Sequence, residues 1–181
     1  MPKLKLAIIG VGLIGGSLGM CLKDKLGDEI YITGMCRTQA SMDKAVELGA
    51  VDFASSDPDQ VVKEADIIFL STPVLQMVPM VEKLLPFIKP GAVITDAGST
   101  KQYIWNELKK ILPDNIYYVP GHPMTGREMS GVAAAKKDLF QNKCYVIVEK
   151  DDVPAEIHNK VCELVKLTGA NLTTLDIAKH D

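Results

Sequence analysis

Lys5–Gly10 reads KLAIIG and runs directly into Gly10-Val11-Gly12-Leu13-Ile14-Gly15. The first stretch is a short apolar run closed by glycine, the pattern of a parallel strand buried on both faces. The second has the spacing G-x-G-x-x-G, and helical spacing follows from Leu13 to Lys25. Three glycines at that spacing are a weak signal alone. Placed between a buried strand and a helix, they specify a turn that cradles a dinucleotide. Gly10 permits the tight turn, Gly12 lets a pyrophosphate approach the backbone, and Gly15 lets the helix pack close to the strand. Leu13 and Ile14 open the helix, so backbone N–H groups and the positive end of its dipole are offered to the phosphates.

Outward from this motif, strand and helix patterns alternate. Strands are expected at Glu29–Cys36, Val51–Phe53, Asp66–Thr72, Ala92–Asp96, Ile116–Pro120, Lys143–Glu149 and Asn171–Leu175. Helices are expected at Ser41–Leu48, from Pro58 to about Glu64, and at Gln76–Leu85, Lys101–Ile111, Met129–Lys137 and Pro154–Leu167. Ser56 or Asp57 caps the helix at Pro58. Such alternation implies parallel pairing with right-handed crossovers. The predicted class is α/β: a Rossmann-type, doubly wound, mostly parallel sheet, with halves at roughly 1–75 and 80–125. Ligands in such sheets bind beyond the carboxyl ends of the strands.

Composition narrows the function classes. Hydrophobic residues make up 47% of the 181, enough for a full core. Net charge is −3 with no block of one sign, so no electrostatic footprint for nucleic acid or a membrane surface is present. Glycines 10, 12, 15, 16 and 19 interrupt the early apolar stretch and argue against a signal peptide. No apolar run is long enough to suggest a membrane span. Cys21, Cys36, Cys144 and Cys162 are widely spaced and read as free thiols in a reducing, cytoplasmic compartment. No cluster of zinc-ligand spacing appears, and no metal is expected.

Four further stretches follow strands and so face the ligand edge. Cys36-Arg37-Thr38 stands where an NAD site carries an acidic residue for the ribose hydroxyls. Arg37 and Thr38 would bind a 2′-phosphate that a carboxylate would repel, which favours NADP over NAD. Ser71-Thr72-Pro73 would line the path from adenosine to nicotinamide, or would simply end a strand. Asp96-Ala97-Gly98-Ser99-Thr100-Lys101 suits a catalytic loop, although Ser99 or Thr100 could equally be a helix cap. Gly121-His122-Pro123-Met124 is the sharpest polar cluster. His122 can accept a hydroxyl proton while a hydride leaves. Of the other histidines, His158 is expected to be solvated in a helix, and His180 falls in a terminal stub.

Taken together, GVGLIGGSLGMCLK (10–23), CRTQASMDKAVELGAVD (36–52), ADIIFLSTPV (65–74), ITDAGSTK (94–101) and GHPMTGREMSG (121–131) resemble the prephenate and arogenate dehydrogenases of tyrosine biosynthesis. The resemblance covers essentially the whole chain. It implies oxidative decarboxylation of prephenate or arogenate: hydride passes from the carbon bearing the 4-hydroxyl to NAD(P), carbon dioxide leaves, and the ring becomes aromatic. It further implies that His122 hydrogen-bonds the 4-hydroxyl and that Ser99 sits beside His122 and the nicotinamide. Thr125, Gly126, Arg127 and Glu128 would border the substrate side chain. Residues 1–176 would form the cofactor domain. Residues 177–181 would open an all-helical domain that this chain does not contain, and that domain would make the homodimer and supply an arginine for the ring carboxylate. Two other readings stay open: a reductase of the β-hydroxyacid or imine reductase type, and a non-enzymatic NADP-sensing module.

Overall fold

In a computed structural model of the chain, which describes residues 2–125 and 130–180, the KLAIIG stretch is the central strand. It forms β1 (Leu4–Ile9), followed by α1 (Leu13–Leu26), β2 (Ile30–Met35), α2 (Gln39–Glu47), β3 (Phe53–Ser55), α3 (Pro58–Val62) and β4 (Ile67–Leu70). The second half continues with α4 (Val74–Leu84), β5 (Val93–Asp96), α5 (Gln102–Ile111) and β6 (Tyr117–Val119). These six strands make one parallel sheet in the order β3-β2-β1-β4-β5-β6. The order reverses between β1 and β4, which is where a doubly wound sheet opens its ligand crevice.

Alternation along the strands feeds two apolar layers. Leu6 and Ile8 of β1, with Ile67 and Phe69 of β4, pack on one face against Leu18 and Leu22 of α1. Ala7 and Ile9, with Ile68 and Leu70, pack on the other face against Met77 and Val81 of α4 and Ile104 and Leu108 of α5. A strand buried on both faces must be apolar at every position, which is why KLAIIG carries no alternation. Gly10 has φ of +91°, a conformation that a side chain would strain. Gly19 brings α1 so close to the loop before β3 that a Cβ there would overlap the Ala50 carbonyl oxygen.

The remaining strands depart from the single-sheet expectation. β7 (Gly121–Pro123), β8 (Cys144–Glu149) and β9 (Asn171–Asp176) form a separate three-stranded sheet, with β7 antiparallel to β8 and β8 parallel to β9. The cause is local. Pro120 lacks the N–H that would extend the β6 ladder. The Gly121 N–H turns to the Asp96 carboxylate instead, and the Pro120 carbonyl accepts from Val148 of β8. His122 therefore lies on the small sheet, not at the end of a strand of the large one.

Helix α6 (Ala155–Leu167) packs on the α1 side of the core, and α7 (Ile177–His180) follows β9 without a break. The helix expected at 129–137 is not formed in its described part, where Val132–Ala134 makes one 3₁₀ turn. That turn packs instead on α1, where a Cβ on Gly16 would lie 2.9 Å from Val132. Asp57 caps α3, its Oδ1 accepting from Asp59 N at 3.1 Å. Among the described residues no helix is long and apolar enough to cross a membrane, and all four cysteines are free.

Candidate active site

At the β1/β4 crevice, the glycine loop borders a cleft of about 570 Å³. Gly10 and Gly12 form its floor. Arg37 and Thr38, after β2, form one wall, and Ser71, Thr72 and Pro73, after β4, form the other. Helix α1 starts beside the cleft with Gly12 at its N-cap and no side chain bonded to its first turn. The free N–H groups of that turn, at Leu13 and Ile14, are the donors that a helix start offers to an anion. A Cβ built on Gly12 meets nothing within 4 Å. Packing inside the protein therefore does not demand glycine there. The opposite holds at Gly15, where a Cβ would lie 2.5 Å from both the Gly10 carbonyl oxygen and Ser71 Oγ.

The wall residues divide by what their side chains already do. Ser71 Oγ donates to the Gly10 carbonyl oxygen at 2.6 Å and holds the loop in shape. Thr38 Oγ1 accepts from Ser41 N at 3.1 Å in a capping box that starts α2, so its hydroxyl is engaged locally. Thr72 Oγ1 is buried and has no hydrogen-bond partner among the described residues. A hydroxyl in that state costs free energy unless a ligand satisfies it. Arg37 is exposed and makes no ion pair among the described residues, so its guanidinium is available to a charged group. Burial pushes the Cys36 thiol up, which makes it a neutral part of the wall and not a nucleophile. An open glycine, an uncapped helix start, an orphaned hydroxyl and a free cation together fit a dinucleotide.

Sequence reading missed the far side of this cleft, where Ser56, Gln76, Met80 and Lys83 also face it. The last three are spaced like neighbours on one helical face of α4, a signal visible once the helix is placed.

Ser99 and His122 lie outside the cleft, around the end of β5. The capping alternative for Ser99 or Thr100 does not hold: the N-cap of α5 is Lys101, with no side-chain cap, and Ser99 is exposed. His122 is held by a buried polar cluster that sequence reading also missed. Asp96 Oδ1 accepts from Tyr118 Oη at 3.0 Å and from Gly121 N at 3.1 Å. Its Oδ2 accepts from Gly98 N at 3.0 Å and pairs with the Lys101 ammonium. Lys101 also donates to the Gly121 carbonyl oxygen at 2.6 Å. Both charged side chains are fully buried. The cluster thus ties the loop carrying Ser99 to the strand carrying His122.

The other two histidines lie in the segments the sequence suggested, but His158 is not the solvated residue expected. His180 reaches back to His122, with its Nε2 2.9 Å from His122 Nδ1. His158 is half-buried, with Nδ1 3.6 Å from Cys162 Sγ and Nε2 buried. Thr125 is half-buried just beyond β7. Gly126, Arg127 and Glu128 lie outside the described residues.

The family described as prephenate dehydrogenase, nucleotide-binding domain, matches residues 18–174. The chain belongs to this family. Prephenate dehydrogenase of Bacillus subtilis (strain 168) is 34% identical over 175 residues, which make up 96% of this chain and 47% of that protein. The crystal structure of Synechocystis arogenate dehydrogenase is similar with a TM-score of 0.90 at 32% identity, covering 98% of this chain and 61% of that one. Prephenate dehydrogenase from A. aeolicus, solved with hydroxyphenyl propionate and NAD+, gives a TM-score of 0.89 at 26% identity, covering 99% and 62%. The chain thus spans about half the length of the B. subtilis relative it matches.

Proposed function

We propose that this chain binds the dinucleotide and carries the hydride-transfer half of an oxidative decarboxylation of prephenate or arogenate. The observation that carries the reading is His122, on a strand tied through the buried Asp96–Lys101 pair to the Ser99 loop after β5. When bound, the nicotinamide supplies the hydride acceptor. Gly10, Gly12 and the N–H groups of Leu13 and Ile14 hold the pyrophosphate, and Thr72 donates or accepts along the dinucleotide. Arg37 takes a 2′-phosphate, which favours NADP over NAD. The engaged hydroxyl of Thr38 leaves that preference resting on Arg37.

His122 takes the 4-hydroxyl proton as the C–H bond gives up its hydride and the C–O bond becomes a carbonyl. The ring carboxylate then leaves as carbon dioxide, and the electron pair of the broken C–C bond completes the aromatic ring. The oxygen that results recovers its proton from His122, so the imidazole ends neutral. Ser99 orients the same hydroxyl, and Thr125, Gly126, Arg127 and Glu128 border the substrate side chain. The ring carboxylate and the homodimer contacts are assigned to the helical part that the family resemblance implies, and the four free thiols fit a cytoplasmic location.

Steady-state kinetics of His122→Asn in the full-length protein test this reading. The expected result is a fall in kcat of roughly 10²–10⁴-fold with cofactor affinity unchanged. Retention of kcat within a few-fold refutes it.

A further inference from the structure

The cleft beside the glycine loop carries charge of one sign. Among the side chains that line it, Arg37 and Lys83 are cations and none is a carboxylate. Arg37 follows β2, whereas Lys83 comes from the end of α4, in the other half of the fold. Both are exposed, and neither enters an ion pair among the described residues. Elsewhere on the surface Lys5, Lys44, Lys89 and Lys110 each pair with a carboxylate, so a bare lysine on a ligand cleft stands apart.

The helix holds Lys83 in that place. Gln76, Met80 and Lys83 are spaced at i, i+4 and i+7, so they share one face of α4, and that face lines the cleft. The adjoining face, with Met77, Val81 and Leu84, is buried in the core. That packing fixes the rotation of the helix and keeps position 83 at the cleft. Glu82, next in sequence, is not among the lining residues. A cleft of about 570 Å³ puts its walls on the order of 10 Å apart, about one Debye length at 0.1 M salt. A charge on one wall is therefore felt by a ligand on the other.

We propose that Lys83 is a second determinant of cofactor choice, its charge favouring the 2′-phosphate of NADP across the cleft from Arg37. This rests on the reading that the chain binds a dinucleotide with its adenosine end beside Arg37. NAD and NADP share the pyrophosphate and differ only in the 2′-phosphate, which adds a charge of about −1.5 to −2 near neutral pH. A cation near the adenosine end therefore separates the two cofactors by charge alone, without a hydrogen bond to either. Two unpaired cations on one cleft repel each other, and an anion between them relieves that repulsion. The absence of lining carboxylates leaves nothing in the cleft to cancel this field.

Calorimetric titration of NAD and of NADP into the chain, at low salt and at 1 M salt, tests this. The quantity read is the ratio of the NAD and NADP dissociation constants in the parent, Lys83→Met, Lys83→Arg, Lys83→Glu and Arg37→Ala. At low salt Lys83→Met should lower the ratio roughly 3–10-fold, the scale Coulomb's law gives for a lysine facing a dianion across a mostly aqueous gap. Lys83→Glu should lower it further, and Lys83→Arg should hold it within about twofold, because only the charge is needed. At 1 M salt, where the Debye length is about 3 Å, the parent and Lys83→Met ratios should converge. A ratio unmoved in Lys83→Met at low salt overturns the proposal, as does an equal loss for both cofactors. So does a loss in Lys83→Arg as large as in Lys83→Met, or one undiminished at 1 M salt. If Lys83→Met moves the ratio and Arg37→Ala does not, the Arg37 assignment has failed and Lys83 stands; the converse result removes Lys83 alone. A parent chain that binds neither cofactor refutes the dinucleotide reading and this proposal with it.

Discussion

Replacing Gly12 by alanine separates what the fold needs from what the cofactor needs. In the protein itself a Cβ at this position meets no atom within 4 Å. The Gly12 backbone, at φ −104° and ψ −142°, is outside the positive-φ region that favours glycine over every other residue. Gly12→Ala should therefore fold, and loss of glycine freedom in the unfolded chain should leave stability unchanged or raise it by about 0.4–1 kcal/mol. With a dinucleotide bound, the same methyl stands where the pyrophosphate must approach the backbone. Overfilling that space costs about 1–3 kcal/mol. Displacing the phosphate from one N–H of the α1 start costs about 1.5–3 kcal/mol more, the range for a hydrogen bond to a charged group. The sum is about 2.5–6 kcal/mol, or roughly 10²–10⁴-fold in Kd. Calorimetric titration of NAD and NADP, alongside a thermal melt of the unliganded variant, reads both halves. Gly15→Ala is the contrast, because its Cβ would press on Gly10 and Ser71 at 2.5 Å in the unliganded chain and should lower Tm. A Gly12→Ala protein that binds either cofactor within threefold of the parent would falsify the placement of the pyrophosphate.

Other expectations follow from single contacts. Arg37→Ala should weaken NADP by about 1.5–3 kcal/mol and leave NAD nearly unchanged in the same titration; parallel losses for both cofactors would remove the 2′-phosphate assignment. Lys101→Met strips the buried Asp96 carboxylate of its cation and should destabilise the fold by about 3–5 kcal/mol by urea unfolding; a loss under 1 kcal/mol would mean that the cluster carries little. The Lys150 ammonium is buried against the Trp105 ring, 3.7 Å from Asp152, and burial pushes its pKa down to about 7, with Asp152 opposing. The unfolded chain then binds a proton that the folded chain releases between about 7 and the ordinary 10.5, so stability should rise with pH across that window. Lys150→Met should flatten the rise; an unchanged slope in the variant would show that another group is responsible.

The central strand and its turn were legible from the sequence because their requirements are local. A strand buried on both faces must be apolar throughout, a phosphate-binding turn must be glycine where backbone meets ligand, and both rules act within about ten residues of Leu6. The alternation that predicts a parallel sheet is equally short-ranged, as are the Asp57 cap and the Gly10 conformation. The small sheet was not legible: the strand expected at Ile116–Pro120 ends where Pro120 stands, but only the β8 partner reveals that Gly121–Pro123 forms a strand of its own in a second sheet. The helix expected over 129–137, not formed in its described part, belongs to the same class, since Val132 and Ala135 are recruited by packing on α1. The candidate site splits along the same line. Gly10, Gly12, Gly15, Arg37, Ser99 and His122 stand out by residue type next to a strand end. Lys101 looks like an ordinary surface lysine until its burial beside Asp96 is seen, and His180 looks like a stray terminal residue until β9 and α7 return it to His122. Periodicity records which face of an element is buried. Which polar side chains meet across 22 or 58 positions depends on the assembled sheets, because no local rule relates residues that touch only after the chain has folded.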